Sequence, residues 1–182
     1  MNVKKEFFMG DTLDVAKKLL GKTLKFRNLS GIIVETEAYK GFPDEASHAF
    51  KKTKRSSIMF DSFGKYYVYF VYGNYYCLNV TTEDGKPGAV LIRALEPLTG
   101  IDIMKIRRNT EDILKLTNGP SKLCMAFGID KAINSTEVND KIGIIDNNSK
   151  PEIVSSFRIG IKKATHLKWR FYIKDNPYVS KK

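Results

Sequence analysis

Two carboxylates lie close together in a short segment of β-strand character. The segment is Val34-Glu-Thr-Glu-Ala-Tyr39, where β-branched residues alternate with the acids, a pattern typical of a strand. Residues two apart on a strand share a face, which groups Ile33, Glu35, Glu37 and Tyr39. Because an unpaired carboxylate is costly to bury, this face is predicted to meet solvent, a cation or a substrate.

Aromatic residues are concentrated in a second segment, residues 66–80. Six of the nine tyrosines fall between positions 66 and 76. Two runs of β character flank Gly73-Asn74, which predicts a tight hairpin turn with Tyr72 at its tip. Tyr67 and Tyr69 would share one face of the hairpin. The sequence thus combines a carboxylate on a strand, aromatic rings on a neighbouring hairpin, and one ring that projects from the turn.

The net charge of +11 on 182 residues favours a polyanionic partner such as nucleic acid or an anionic membrane surface. A lysine-rich solvated surface is the alternative. An enzyme that acts on a base in a duplex must extrude the nucleotide, hold the base between aromatic faces and fill the gap. Cleavage of an N-glycosidic bond develops positive charge on the sugar, which a carboxylate can stabilise while it deprotonates the attacking water. The two segments together suit such an enzyme.

Each residue also has a simpler interpretation. The tyrosines could pack within a sheet, Glu35 and Glu37 could be strand-edge charges, and Arg93 could serve only to neutralise them. Two other functions stay open. One is a non-catalytic nucleic-acid-binding module with an aromatic stacking platform, which leaves Glu37 without a task. The other is a glycosidase of free nucleosides or sugars that uses Glu35 and Glu37 as a carboxylate pair, roughly 6.5–7 Å apart on one strand face.

The remaining sequence supplies the elements that would position these residues. Asp11 can cap a helix over Thr12 to Leu20, and Pro120 suits the start of another that continues to Phe127. The other predicted elements are strands over 22–27, 31–39, 66–82 (the hairpin), 89–94, 142–145, 153–161 and 169–173, and helices around 101–106 and 113–116. This order predicts one α+β domain over residues 1–182, with a mainly antiparallel curved sheet, flanking helices and a protruding β-hairpin.

Several classes of site and location are not expected. The two cysteines, Cys77 and Cys124, form no CxxC motif, and there are only two histidines, so we expect no metal, no other cofactor and two reduced core thiols. A signal peptide is not apparent near the N-terminus. No run of about 18 apolar residues occurs, which argues against a membrane-spanning helix. Together with the family resemblance described below, these features lead us to expect a bacterial, cytoplasmic and nucleoid-associated protein.

Beyond these features, ordered runs of residues resemble a known family along nearly the whole chain. Among them are Val34-Glu-Thr-Glu-Ala-Tyr39, Asp44-Glu-Ala-Ser-His48, Tyr67-Val-Tyr-Phe-Val-Tyr-Gly73, Leu91-Ile-Arg-Ala-Leu-Glu-Pro-Leu98, Asn118-Gly-Pro-Ser-Lys-Leu-Cys124 and Arg170-Phe-Tyr-Ile173. They are similar to the alkyladenine (3-methyladenine) DNA glycosylase family, the type not built on a helix-hairpin-helix. The resemblance implies a monomeric, monofunctional enzyme without lyase activity. It would flip alkylated purines such as 3-methyladenine and 7-methylguanine out of double-stranded DNA and leave an abasic site.

The resemblance also implies roles for individual residues. Glu37 would activate the water that attacks the sugar, and Arg93 would help to hold that water and a nearby phosphate. The other implied residues are Tyr39, His48 and Tyr69 around the flipped base, Tyr72 as the wedge in the minor groove, and Asn79 on the pocket floor against the exocyclic amine of guanine. Glu35 receives no role.

Two basic segments are candidates for contact with the DNA backbone. One is the loop around 51–55; the other lies between Glu152 and Asp175, a stretch without acids that includes Arg158 and Arg170. The individual candidates are Lys51, Lys52, Lys54, Arg55, Lys122, Lys162 and Lys163. The chain departs from the family pattern at Asn74, where an apolar residue is usual, and in the short lysine-rich segment 49–58.

Overall fold

The second strand of the fold is its centre. The computed structural model describes residues 1–71, 73 and 75–181. Strand β2 (Leu29–Lys40) pairs through its first residues with β1 (Thr23–Phe26), a tight hairpin partner. Its other edge pairs almost end to end with β5 (Gly88–Thr99). Since β2 has partners on both sides, its side chains occupy the middle of the sheet, where burial is deepest.

The other strands extend the sheet in both directions. They are β3 (Tyr66–Val71), β4 (Tyr75–Thr82), β6 (Ile142–Ile145), β7 (Ile153–Ser156) and β8 (Arg170–Ile173). The main path runs β3-β4-β5-β2-β1-β6, while β8 pairs with β2 and with β7. Every one of these pairings is antiparallel. The predicted α+β class with a mainly antiparallel curved sheet is confirmed.

Helices flank the sheet, and α1, α3 and α4 lie close to the predicted positions. They are α1 (Thr12–Leu19), α2 (Ile58–Asp61), α3 (Ile101–Arg108) and α4 (Pro120–Phe127), with 3-10 turns at Lys5–Met9, His48–Phe50, Ile113–Lys115 and Lys131–Ile133. The Asp11 side chain caps α1 by accepting the Leu13 N–H, which satisfies a donor that the helix itself leaves free. Among these helices none is long and apolar enough to cross a membrane, and this holds for the described residues as a whole.

The two faces of the sheet differ sharply in character. Val15 and Leu19 of α1 pack with Val90 and Ile92 of β5 in the main apolar core. The alternate residues of β5, Leu91 and Arg93, face the other side and line a cavity there. Alternation along β5 therefore separates a helix-covered core from the face that carries the polar groups.

A bulge in β2 corrects one prediction from the sequence. The pairing register shifts between Ile33 and Glu35 and again between Glu35 and Thr36. Ile33 belongs to the main core, whereas Glu35 and Glu37 contact Arg93 on the opposite face. Ile33 and Glu35 thus do not share a face, because the extra residue of a bulge reverses the alternation.

Three predicted strand boundaries are also wrong, and one helical segment was not predicted. Strand β5 continues to Thr99, well beyond the apolar run that ends at Ala94, and β7 ends at Ser156 rather than near residue 161. The sequence predicted no helix within residues 41–65, which contain α2 and the short turn at His48–Phe50. Strand β2 begins at Leu29, before the predicted start at Gly31.

Candidate functional site

A cavity of about 520 Å³ opens on the face of the sheet opposite α1. Side chains from β2, β3, β4 and β5 form its floor and walls, the start of α4 adds Pro120 and Ser121, and the connection between β7 and β8 adds residues 159–161. Such a volume lies within the range of small-molecule sites. The lining includes Tyr39, His48, Arg55, Tyr67, Tyr69, Asn79 and Arg93.

Glu37 lies directly behind this cavity. Its side chain has no exposed surface, and its two oxygens accept hydrogen bonds from the wall of the cavity. Oε2 accepts from the Tyr39 hydroxyl at 2.7 Å, and Oε1 accepts from the Ile159 N–H at 2.7 Å. The Arg93 Nη1 atom lies 3.2 Å from the same Oε1. The carboxylate is therefore held rigidly, and each of its partners lines the cavity.

Three aromatic rings stand close together along the cavity wall. The His48 ring centre lies 4.7 Å from that of Tyr69 in an edge-to-face arrangement, and the Tyr67 and Tyr69 centres lie 5.3 Å apart. The His48 Nδ1 atom is 2.9 Å from the Tyr67 hydroxyl. Aromatic pairs at these separations are favourable beyond the area that they bury. These contacts fix His48 and Tyr69, two of the residues that the resemblance assigns to base binding.

Burial shapes the protonation of this wall. It lowers the pKa of His48 below 6.5, and the positive charge of Arg55 lowers it further, because both disfavour the charged imidazolium. Burial also raises the pKa of the Tyr39 hydroxyl well above 10, and the neighbouring charge of Glu37 adds to this effect. At neutral pH the wall therefore presents a neutral imidazole and a neutral phenol that donates to Glu37.

The floor of the cavity is built from β4. Asn79 is buried and donates through Nδ2 to the Tyr67 carbonyl oxygen at 2.9 Å. Cys77 is buried beside it as a free thiol, and burial raises the pKa of that thiol. The amide of Asn79 is thus held in one orientation by the backbone of the adjacent strand.

Glu35 and Arg93 belong to a second polar cluster, next to Glu37. Glu35 has no exposed surface, and its Oε1 lies 2.8 Å from Nη1 of Arg170 and 3.4 Å from Nε of Arg93. Its Oε2 accepts the backbone N–H of Ser180 at 2.8 Å. Glu35 thereby attaches the C-terminal segment to the centre of the sheet. It does not line the cavity.

A fully buried ion pair joins two walls of the cavity. Both side-chain oxygens of Asp44 accept from Arg158 at 2.7 Å, and neither side chain is exposed. The Arg158 guanidinium also donates to the Ala38 carbonyl and stacks on the rings of Tyr39 and Trp169, at 4.7 and 5.2 Å from their centres. Since Ile159 follows Arg158, this pair fixes the N–H that Glu37 accepts.

The basic residues divide into two groups. Lys51, Lys52, Lys54, Arg55, Lys162 and Lys163 are exposed, and Lys122 is half-buried with its Nζ bonded to Asn118. These positions adjoin cavity-lining residues in sequence. In contrast, Arg158 and Arg170 are buried and paired with carboxylates, so the interpretation that placed them on a phosphate-facing surface is wrong.

The structure brings most of the predicted site residues together. Tyr39, His48, Tyr69, Asn79 and Arg93 line one cavity, and Glu37 is bonded to its wall. Tyr72, predicted as the wedge, lies outside the described residues, as does Asn74.

Sequence reasoning missed the pair of Asp44 and Arg158 and the backbone N–H of Ile159. Asp44 lies in one of the runs that resemble the family, but Arg158 was predicted to be a surface charge, because sequence gives little indication that an arginine is buried. The one local signal is that Arg158 lies between two apolar residues, Phe157 and Ile159.

The arrangement can bind a planar ring and place an acid beside it. In the part of the chain that the structure describes, no group of three or more His, Cys, Asp or Glu side chains could hold a metal ion. The groups available for chemistry are instead a buried carboxylate, an arginine on the cavity wall and aromatic faces. These suit stabilisation of a developing positive charge and activation of a water molecule.

Comparison with known proteins agrees with this geometry. The chain is 46% identical over 198 residues to a protein of Clostridium novyi (strain NT) named "Putative 3-methyladenine DNA glycosylase", with 99% of this chain and 98% of that protein covered. A protein of the same name from Prosthecochloris aestuarii is 46% identical over 189 residues, covering 98% and 91% of the two chains. A family model described as methylpurine-DNA glycosylase (MPG) matches residues 6–177. The chain therefore belongs to the methylpurine-DNA glycosylase family.

Proposed function

We propose that this protein is a monofunctional DNA glycosylase that removes alkylated purines, such as 3-methyladenine and 7-methylguanine, from double-stranded DNA. One observation carries the proposal: a carboxylate, Glu37, is bonded to the wall of a ring-lined cavity large enough for a base. A non-catalytic stacking platform would not need the carboxylate, and a structural ion pair would not need the cavity. The names of the relatives support the same substrate.

The substrate base would enter the cavity by leaving the duplex. Tyr39, His48 and Tyr69 would enclose it, and a cationic methylated purine gains roughly 0.5–2 kcal/mol from each favourable contact with an aromatic face. Asn79 on the floor would disfavour the exocyclic amine of normal guanine. Damaged bases are also easier to extrude, which adds to the selectivity.

Glu37 would then act as the general base. Its Oε2 accepts one hydrogen bond, from Tyr39, and so keeps a lone pair for a water molecule. That water would attack the sugar C1′ as the bond to the base nitrogen breaks. The electron pair of that bond neutralises the cationic base, and a water proton passes to Glu37. Arg93, on the cavity wall, would hold the water and a nearby phosphate.

The burial of Glu37 supports selective rather than general hydrolysis. Because the carboxylate has no exposed surface, only a water admitted with the substrate would be activated. No lysine lines the cavity in the described part of the chain, which argues against a Schiff base and hence against strand cleavage. A glycosidase that uses two carboxylates is not supported, since Glu35 is bonded to Arg170 and Ser180 outside the cavity.

The remaining elements of the proposal concern DNA. Tyr72 would fill the gap left by the flipped base, and the exposed lysines beside the cavity would contact phosphates. We place the whole chain, residues 1–182, in one glycosylase domain that acts as a monomer. In a bacterial cell it would work in the cytoplasm, at the nucleoid.

The decisive experiment is base release from duplexes that each carry one defined lesion. Duplexes with 7-methylguanine or 3-methyladenine should lose the base in multiple turnovers and leave an intact strand with an abasic site. An undamaged duplex of the same sequence is the control. Tight binding without any base release would favour the non-catalytic module, and immediate strand cleavage would contradict the monofunctional assignment.

A further inference from the structure

One cavity residue, Arg55, already occupies an aromatic face that the proposed substrate would need. Its guanidinium carbon lies 4.9 Å from the centre of the Tyr69 ring, and its side chain lines the cavity. Arg55 belongs to an exposed loop segment. The side chain is thus exposed at the cavity mouth, and its guanidinium group contacts the ring.

Arg55 contacts the Tyr69 ring, and its positive charge and hydrogen bonding also act on the neighbouring Tyr67 hydroxyl. Among the described residues no carboxylate lies within ion-pair distance of Arg55, and Asp61 is paired with Lys52. Arg55 also influences the whole aromatic wall. It contributes to the lowered pKa of His48, and it opposes the rise that burial causes in the pKa of Tyr67 and Tyr69.

A guanidinium group and a methylated purine have similar recognition chemistry. Both are planar and cationic, and both gain from contact with an electron-rich face. The Arg55 guanidinium thus occupies the position on the Tyr69 ring that a cationic base would take. A base can use that face only after Arg55 leaves it.

We propose that Arg55 is a specificity-determining residue: it covers the Tyr69 face while DNA is absent and moves to a phosphate when a flipped nucleotide enters. The inference rests on the proposed function. A base within DNA brings phosphates that attract Arg55 outward, whereas a free base or nucleoside brings none. Free methylated purines, including the released product, therefore compete poorly for the cavity.

The test compares small ligands with DNA in Arg55→Ala. Two nucleosides without phosphate serve as probes, cationic 7-methylguanosine and neutral inosine. Removal of Arg55 should tighten the binding of both by about two- to fivefold, the factor that corresponds to an exposed cation–π contact. The same variant should bind a duplex with an abasic-site analogue more weakly than the wild type. Dissociation constants from NMR titration and from fluorescence anisotropy would give the two values.

Two matched variants separate this mechanism from simple charge effects. Lys54→Ala removes the neighbouring exposed positive charge. It should weaken DNA binding but leave both nucleosides unaffected. Arg55→Lys keeps the charge without the planar group, and its nucleoside affinities should lie between those of the wild type and Arg55→Ala.

The results that would overturn the inference are specific. If Arg55→Ala leaves nucleoside binding unchanged, Arg55 does not cover the face; if only the cationic nucleoside gains, repulsion rather than occupancy is the cause. Undiminished DNA affinity would exclude the move to a phosphate. Base release from methylated duplex DNA by the wild type is measured in parallel, so that loss of the proposed function itself is recognised separately.

Discussion

Glu37 accepts hydrogen bonds from Tyr39 and Ile159 and forms an ion pair with Arg93. Glu37→Gln keeps an oxygen that can accept the Ile159 N–H but cannot take a proton from water. We expect base release to fall about 10²- to 10⁴-fold, the usual contribution of a general base, while affinity for lesion-containing DNA stays nearly unchanged. Single-turnover release and equilibrium binding on the same duplex measure both quantities.

Glu35→Gln is the matched control, because Glu35 is an equally buried acid on the same strand. Its hydrogen bonds go to Arg170 and Ser180, which do not line the cavity, whereas those of Glu37 go to Tyr39 and Ile159, which do. Its loss of charge should lower the free energy of unfolding, since Arg93 and Arg170 lose a partner. Release should decline far less than in Glu37→Gln. Equal losses of release in both variants would show that the charge cluster, not Glu37 itself, supports the reaction.

His48 predicts a pH dependence with a definite sign. Its pKa lies below the ordinary 6.5 through burial and the charge of Arg55. Well above pH 6.5 the His48 side chain is neutral in both the folded and the unfolded chain, so its titration does not change the free energy of unfolding. As the pH falls below 6.5, the unfolded chain gains the proton first, so stability decreases until the folded form is also protonated.

The same protonation would place a positive charge beside a cationic base. Affinity for DNA with 7-methylguanine should therefore fall over the acidic range, and His48→Gln should remove that part of the decrease. The measurement is binding at several pH values for both proteins at constant ionic strength. A His48→Gln profile identical to that of the wild type would contradict a role for His48 in the wall.

At the scale of elements, the pair of Asp44 and Arg158 connects the segment after β2 with the connection between β7 and β8. Both side chains are fully buried, and removal of one partner from a buried pair costs about 3–5 kcal/mol. Asp44→Asn should therefore lower the free energy of unfolding by that amount. Trp169, the only tryptophan, stacks on Arg158, so its fluorescence reports the change during urea unfolding.

An exposed pair in the same region supplies the comparison. Lys163 lies 3.3 Å from Glu45, and both side chains are more than half exposed. Lys163→Ala should change stability by no more than about 1 kcal/mol. A cost for Asp44→Asn as small as that for Lys163→Ala would mean that the buried pair does not hold the two walls together.

The elements also show what the sequence could predict. Alternation and turn residues located β2, the tyrosine strands and α1 correctly, because those signals are local. The bulge at Ile33 to Glu35 was not predicted, since a bulge depends on the partner strand. Arg158 and Arg170 looked like surface charges because their partners, Asp44 and Glu35, are more than 100 positions away. The cavity itself depends on such distant contacts.

At the scale of the whole molecule, the buried charges cancel and the excess positive charge lies on exposed residues. Among the described residues, three buried arginines, Arg93, Arg158 and Arg170, are balanced by three buried carboxylates, Glu35, Glu37 and Asp44. The two other buried charged residues, Lys22 and Glu83, are opposite in sign. The net charge of +11 is thus carried by the more exposed residues. An excess of positive charge outside a neutral interior suits a DNA-binding surface.

The salt dependence of DNA binding tests which exposed charges contact phosphates. Affinity should fall steeply with salt, with a slope of roughly −0.9 per phosphate contact in a plot of log K against log salt concentration. Lys54→Ala or Lys162→Ala, each next to the cavity in sequence, should reduce that slope by about 1 and weaken binding to all duplexes alike. Lys18 on α1, which covers the opposite face of the sheet, is the control. Lys18→Ala should leave the slope unchanged, and a reduction equal to that of Lys54→Ala would place DNA on a different face of the molecule.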